Sequence, residues 1–301
     1  MGVSHESASR IVHPASRTIA DEFVRRLQEA GPSRLADVAG TSVTLLHALL
    51  AELRPTRDEF LAAIEFLTEV GHHTDARCQE WALLADVVGL ASLMEDLNHQ
   101  RPSGATPNTS TGPFYRADVP VLPFGADISR DGKGEPLLVE GRVQDLDGRG
   151  LSGALVEVWH ANAKGLYENQ DPDHQPEHNL RGRFRTDGQG RFRFASVKPG
   201  GTTLPTGGPV GRLAERLGLR LNRPAHIHFR VSAAGFQTLT TQIFDKADAA
   251  VRDDAIFGVK PGLMAEFHAH PAGAGSRRYG LDLILVLCPQ SSEQPEQTGR
   301  I

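Results

Sequence analysis

The sequence predicts an α+β chain in which an N-terminal helical region is followed by an antiparallel β-sandwich. Three observations predict this. Apolar residues recur with a helical period through about residue 100 and with a period of two beyond it. Residues 101–113, Arg-Pro-Ser-Gly-Ala-Thr-Pro-Asn-Thr-Ser-Thr-Gly-Pro, are turn formers that interrupt the first period before the second begins. The segments of period two are separated by turns such as Asp147-Gly148 and Asp187-Gly188. A boundary near residue 105 follows: residues 1–105 as the helical domain, 106–288 as the sandwich, and 289–301 as a polar tail expected to fray.

Each element has its own signal. Ile19, Phe23, Val24 and Leu27 form one apolar stripe, and Leu45, Leu46, Leu49, Leu50 and Leu53 a denser one, so these helices must bury a face. Thr56-Arg57-Asp58-Glu59 is a capping box opening a helix that carries Phe60, Ala63, Ile64 and Leu67. Thr74 or Asp75 can cap the next helix, with Trp81, Leu84, Val87 and Val88 expected to face inward. Strands are expected at 137–143, 154–160, 192–197, 226–232, 238–244 and 281–287. One short helix, Val210 to Leu217, lies between Gly208-Pro209 and Gly218.

Composition narrows the partners. The chain has 301 residues, 39% of them apolar, and a net charge of −5 with acidic and basic residues interspersed, which argues against nucleic acid and against a polybasic membrane surface. The apolar run Leu283 to Cys288 is far too short to span a bilayer and fits a buried strand. Cys78 and Cys288 are far apart, and the start Met1-Gly2-Val3-Ser4-His5-Glu6 lacks an apolar signal core, so a cytoplasmic location is expected.

The chemistry concentrates in Arg223-Pro224-Ala225-His226-Ile227-His228-Phe229. In a strand His226 and His228 share a face while Ile227 and Phe229 point into packing, so the two imidazoles form a ready pair of metal ligands. Such a pair names a metal site and not a metal, and on its own it also reads as two polar residues on a solvated face. Tyrosine is scarce: Tyr115, Tyr167 and Tyr279 are the only three, and Tyr167 ends a strand that runs out through Gly165. A phenolate with imidazoles would point to non-haem Fe(III) in preference to zinc.

Several motifs in order, Glu65 to Thr68, Leu83 to Gly89, Gly112-Pro113-Phe114-Tyr115-Arg116, Gly125 to Ile128, Asn179 to Phe184 and Asn222 to His228, make the chain similar to the intradiol ring-cleaving dioxygenases. Pro205 to Gly211 and Asp254 to Lys260 resemble the hydroxyquinol branch more than the plain catechol enzymes. The resemblance implies a non-haem ferric ion held by Tyr167, His226 and His228, with Thr202 at the place of a second, missing tyrosine. It implies catalytic support from Arg223 and Gln242. Substrate contacts would come from Leu83, Asp86, Ser110, Thr111, Gly112, Pro113, Phe114, Leu204, Pro205 and Ile256. Asp86 would favour a substrate with an extra hydroxyl, and Ser110 and Thr111 are more polar than the apolar residues anticipated there.

The implied activity is O2-dependent cleavage of a catechol or hydroxyquinol ring to a muconate or to maleylacetate, in a homodimer joined through the N-terminal helices, with room for a bound lipid. Two alternatives follow from Thr202: a metalloenzyme of altered chemistry, or a non-catalytic protein that binds aromatic ligands. Tyr115 or Tyr279 could also fold in as the fourth ligand. His268-Ala269-His270, which precedes a glycine-rich loop, and His72-His73 at a helix boundary are expected to be structural or solvated.

Overall fold

The computed structural model describes residues 14–75, 79–269 and 279–290, so the chain start, Cys78, His270 with its loop, and the tail from residue 291 lie outside the described residues. These fall into two compact units, one ending at Glu69 and the other beginning at Val70.

The first unit holds α1 (Pro14–Glu29), α2 (Arg34–Leu53) and most of α3 (Arg57–His72). Ser33 caps α2 by accepting from the Ala36 amide at 3.1 Å, and Arg54, in the left-handed region, ends it. The capping box of α3 forms as expected: Thr56 N donates to Glu59 Oε2 at 2.7 Å, and Glu59 N donates to Thr56 Oγ1 at 3.3 Å. The dense leucine stripe of α2 is exposed in the single chain, at 40% to 65% for Leu45, Leu46, Leu49, Leu50 and Leu53. By length and composition α2 is apolar enough to cross a membrane, but Asp37 and His47 interrupt it and would each be expensive in lipid.

The second unit opens with α4 (Glu80–Val87) and α5 (Leu90–Asn98), separated by Gly89. One expectation about α4 is corrected, the inward facing of Trp81 and Val88. The helix starts at Glu80 with Gln79 at the N-cap position, and Thr74 serves it from six residues before: the Thr74 hydroxyl donates to Val70 O and accepts from the first-turn amide of Trp81 at 3.3 Å. Trp81 and Val88 are 45% and 52% exposed, because the inward face is set by Glu80. That carboxylate is buried and accepts from the Val210 amide at 2.9 Å, so it caps the helix α6 (Pro209–Leu217) from a distance. α5, which the period alone does not reveal, follows the turn at Gly89.

The strands in chain order are β1 (Pro136–Gln144), β2 (Leu155–Trp159), β3 (Arg181–Arg185), β4 (Arg191–Val197), β5 (Thr202–Thr203), β6 (Asn222–Arg223), β7 (His226–Ser232), β8 (Leu239–Asp245), β9 (Met264–Ala265), β10 (His268–Ala269) and β11 (Tyr279–Val286). They form a four-stranded sheet, β10-β11-β1-β4, a five-stranded sheet, β3-β2-β7-β8-β9, and the small ribbon β5-β6. Pairing is antiparallel except at β1–β11 and β8–β9, which run parallel. One sandwich core results: Leu137, Val139, Phe192, Phe194 and Leu285 from the first sheet meet Val156, Val158, Ile227, Phe229 and Val231 from the second. Pro289 and Gln290 are not frayed: Pro289 bridges to Phe236, and Gln290 N donates to Gly235 O at 2.9 Å. His72, His73 and His268 are exposed, in line with a solvated role.

Candidate metal centre

Because Ile227, Phe229 and Val231 fill the sandwich core, strand alternation sends His226, His228 and Arg230 to the outer face of the five-stranded sheet. The register then aligns one row across four strands: Arg181 on β3, Trp159 on β2, His228 on β7 and Gln242 on β8. The Trp159 ring stacks on His228 with centroids 4.7 Å apart and planes 12° from parallel. This outer row is buried, because two loops fold over it.

One loop carries Tyr167. Asn162 Oδ1 receives the Lys164 and Leu166 amides at 2.9 and 3.1 Å, closing a tight turn through Gly165. Gly165 has φ of +82°, and a Cβ there would lie 2.1 Å from Gly201 O, so only glycine lets this turn lie against the segment leading into β5. The second loop brings Phe114, whose ring stacks on Tyr167 at 4.4 Å, and Gly112, whose side would face His228 Cε1. Behind Tyr167 the buried Arg181 guanidinium meets Glu168 at 2.7 Å through both Nε and Nη2 and lies 5.9 Å from the phenol ring centroid.

The three expected metal donors converge. Tyr167 Oη lies 3.5 Å from His226 Nε2, and the two imidazole centroids are 4.9 Å apart. His226 Nδ1 donates to Pro224 O at 2.7 Å, which leaves Nε2 as the lone-pair nitrogen toward the phenol. His228 Nδ1 is buried without a hydrogen-bond partner among the described residues. Burial pushes the Tyr167 phenol above its ordinary value, with Arg223 and Arg181 opposing, and burial holds both histidines well below 6.5, with Arg223 adding to it for each. Neutral imidazoles, with only long contacts of 3.4 and 3.5 Å at His226 Nε2 and no partner at His228 Nδ1, beside a buried phenol fit a metal cation, whose charge would ionise the phenol.

Arg223 is buried and held from three sides. Its Nε donates to Asp254 Oδ1 at 3.0 Å, its Nη2 donates to Gln242 Oε1 at 2.6 Å, and its Nη1 lies 3.4 Å from His226 Nε2. Gln242 Nε2 in turn donates to Ser110 O at 3.2 Å. Thr202 pairs directly with Arg223 across the β5–β6 ribbon, so the two side chains lie on the same side of it. Neither other tyrosine substitutes for a phenol here. Tyr115 Oη donates to Glu157 Oε1 at 3.1 Å, and the Tyr279 ring carries the Lys198 ammonium at 4.8 Å.

Three of the expected substrate contacts, Asp86, Ser110 and Ile256, line one cavity, together with Ser92, Glu95, Thr109, Gly258 and Lys260. Burial raises the Asp86 carboxyl above its ordinary range, with Arg223 opposing. Leu83 shares the Asp86 face of α4, and Leu204 packs in one cluster with Ile256 and Val87. Thr111 is half-buried, whereas Pro113 and Pro205 are exposed, and no described contact ties them to the cavity. Sequence reasoning missed Trp159, Glu168, Arg181, Asp254 and the loop residues Thr109 and Lys260. Trp159 carried a usable signal, since it shares strand parity with the exit toward Tyr167; the others depend on pairing across distant segments. A second group of metal-type side chains, Asp118, Glu177 and His178, has both carboxylates tied to Arg116 at 2.7 and 3.1 Å and is an ion-pair cluster.

Comparison with known proteins gives consistent matches over nearly all the chain. Residues 33–106 match the family described as catechol dioxygenase N terminus, and residues 111–287 the family described as dioxygenase. The chain is 44% identical to a hydroxyquinol 1,2-dioxygenase of Rhizobium sp. (strain MTP-10005) over 248 residues, covering 82% of this chain and 84% of that protein. It is 34% identical to a catechol 1,2-dioxygenase of Candida albicans (strain SC5314 / ATCC MYA-2876), covering 87% and 88%. The solved hydroxyquinol 1,2-dioxygenase from Pseudomonas putida DLL-E4 superposes with a TM-score of 0.87 at 33% identity, covering 92% of this chain and 99% of that one.

Proposed function

The chain belongs to the intradiol ring-cleaving dioxygenases of the catechol and hydroxyquinol 1,2-dioxygenase type, and from that membership we propose that it opens hydroxyquinol or a substituted catechol with O2, giving maleylacetate or a muconate. The observation that carries the reading is the convergence of Tyr167, His226 and His228 beside a guanidinium locked by Gln242 and Asp254.

In this reading Tyr167, His226 and His228 hold a non-haem ferric ion. Such an ion, held by these residues, would supply the Lewis-acid and redox chemistry that makes a diol ring reactive toward O2. Arg223 stabilises the negative charge that grows on the substrate oxygens, and it is suited to this because its fork is already fixed on Asp254 and Gln242 and needs no reorganisation. Leu83, Leu204, Pro205, Ile256 and Phe114 supply apolar walls, while Ser110, Thr111, Gly112 and Pro113 border the ring. Asp86, half-buried and lining the cavity, would accept a hydrogen bond from a third ring hydroxyl.

Thr202 supports a second reading. Tyr167 is the single phenol among the described residues in the donor set, so the protein supplies one anionic ligand. Under this reading the ion is Fe(II) or zinc with another chemistry, or the site binds aromatic ligands without turnover. Anaerobic titration of iron-loaded protein with hydroxyquinol and with catechol, followed by O2, separates the readings. A catecholate absorption band that decays to ring-opened product with one O2 consumed supports the first. Persistence of the band in air, or its absence, overturns it.

The remaining parts of the proposal concern assembly and place. The exposed leucines of α2 and the exposed Phe60, Ile64 and Leu67 of α3 favour a homodimer through the helical domain, and the groove lined by Val24, Leu27, Gly40 and Leu45 has the apolar character a lipid chain requires. A cytoplasmic enzyme of three parts, 1–105, 106–288 and 289–301, is the corresponding organisation. Light scattering that finds a monomer would remove the dimer.

A further inference from the structure

The Leu166–Tyr167 peptide is held at both of its polar ends by glutamine side chains that the proposed chemistry leaves without a role. The Tyr167 amide donates to Gln170 Oε1 at 3.0 Å, and Leu166 O accepts from Gln175 Nε2 at 3.1 Å. The backbone forces these roles: an N–H only donates and a carbonyl only accepts, so Gln170 must present its oxygen and Gln175 its nitrogen. Leu166 O also accepts from the Asn162 amide at 2.9 Å, which uses both of its lone pairs, and the Gln170 amide donates back to Tyr167 O at 3.0 Å. Asn162 already closes the loop through the Lys164 and Leu166 amides, so the two glutamines add to its aim and not to its closure.

The corner that supplies Gln175 is strained. His178 and Leu180 both have φ of +59°, a region unfavourable to any residue with a Cβ, and they flank Asn179, which is 1% exposed. Asn179 Nδ2 donates to Gln175 Oε1 at 3.1 Å, and its Oδ1 accepts from the Arg130 amide at 2.8 Å. Gln175 Oε1 is thereby occupied, and its Nε2 is left to face Leu166 O. The same corner runs directly into Arg181, whose guanidinium lies behind the Tyr167 ring. Backbone strain persists only where its surroundings over-determine it, and here the surroundings are a buried, fully paired network that ends on the backbone of Tyr167.

Resting on the reading of Tyr167 as a metal donor, we propose that Gln170 and Gln175, with Asn179 behind them, are positioning residues that clamp the Leu166–Tyr167 peptide and so set where the phenol oxygen stands beside His226 Nε2. The oxygen lies at the far end of the side chain, so a small rotation of the peptide plane is magnified there, while the Phe114 stack confines the ring between the two. Tyr167 is the single phenol of the donor set among the described residues, and no second one offsets its misplacement.

The test measures the affinity of the full chain for ferric ion by competition with a chelator, with the tyrosinate absorption band of the iron-loaded protein as a second readout. Gln170 is exposed, so its variants remove the bond with little effect on the fold. Gln170→Met, which lacks the acceptor, is expected to bind iron about tenfold more weakly, the lower end of what the loss of a ligand-orienting partner costs, and to shift the band. Gln170→Glu keeps an acceptor oxygen and should restore both readouts, which a general loosening of the fold would not do. Gln175→Met should move both in the direction of Gln170→Met. Wild-type affinity with an unshifted band in either methionine variant, or an equal loss in Gln170→Met and Gln170→Glu, overturns the clamp. Tyr167→Phe tests the underlying reading on its own: a wild-type protein without the band, or a variant that keeps it, means that Tyr167 is no ligand, and the clamp fails with that reading.

Discussion

The inner and outer faces of the five-stranded sheet come from the same strands, residue by residue in alternation, and they differ in every property that matters. Val156, Val158, Ile227, Phe229 and Val231 on the inner face are dry, apolar and fully partnered. Trp159, His226, His228 and Gln242 on the outer face are as deeply buried, yet two of their nitrogens, Trp159 Nε1 and His228 Nδ1, have no partner among the described residues. Burial alone therefore does not separate core from site; the unsatisfied polar atom does. Parity along β7 sorts structure from chemistry, and substitutions at neighbouring positions should have unlike consequences.

The widest separation is expected at His228. His228→Ala should abolish iron binding and lower turnover by on the order of ten-thousandfold, since a lost ligand removes the ion and all that it contributes to the barrier. Iron content by elemental analysis and turnover at saturating diol check it. Wild-type iron content in this variant would break the assignment of the outer face. One position on, Phe229→Ala opens a hole in the sandwich and should cost about 3–5 kcal/mol in urea unfolding. The fraction that stays folded should still bind one iron, so the two neighbours exchange their phenotypes.

Arg223→Lys probes the outer face without removing a ligand. Lysine keeps the charge but cannot hold Asp254 and Gln242 together through one planar fork. Turnover should fall by about a hundredfold while iron content stays at the wild-type level. Loss of iron instead would mean that Arg223 acts on the ligands and not on the substrate.

How much of this was legible depends on whether a signal is local. His226 and His228 announce themselves because alternation within seven residues is enough to set their face. The capping box at Thr56 and the glycine turn before Tyr167 are local in the same way. β3 escapes, since Arg181-Gly182-Arg183-Phe184-Arg185 has charged residues where a strand would show apolar ones, and Glu168, Glu157 and Gly153 O receive those arginines only in the fold. Trp81 misleads for a related reason: the inward face of α4 is chosen by Glu80 serving a helix 130 residues away. The cavity lining draws on Thr109 and Lys260, 151 residues apart, and no periodicity in either segment points to the other.

His160 gives the smallest expected effect and the sharpest contrast with its neighbour Trp159. Its Nδ1 donates to Ala161 O and its Nε2 accepts from Ser196 Oγ, both at 2.7 Å, so the buried ring is satisfied only when neutral. Burial lowers its pKa from 6.5 to about 4, against an opposing hydrogen bond to Ala161. Between those two values the unfolded chain binds the proton and the folded chain does not. Stability is therefore complete above about pH 6.5 and is lost as the pH falls toward 4, by about 2 kcal/mol at pH 5 from this group. His226 and His228, also held low, add in the same direction when no metal is bound. Urea unfolding of metal-free protein from pH 7 to 5 should show this slope, and His160→Gln should flatten it by the His160 share whatever its effect on absolute stability. An unchanged slope would mean that His160 is protonated in the fold, and its bond to Ser196 would then have to run the other way.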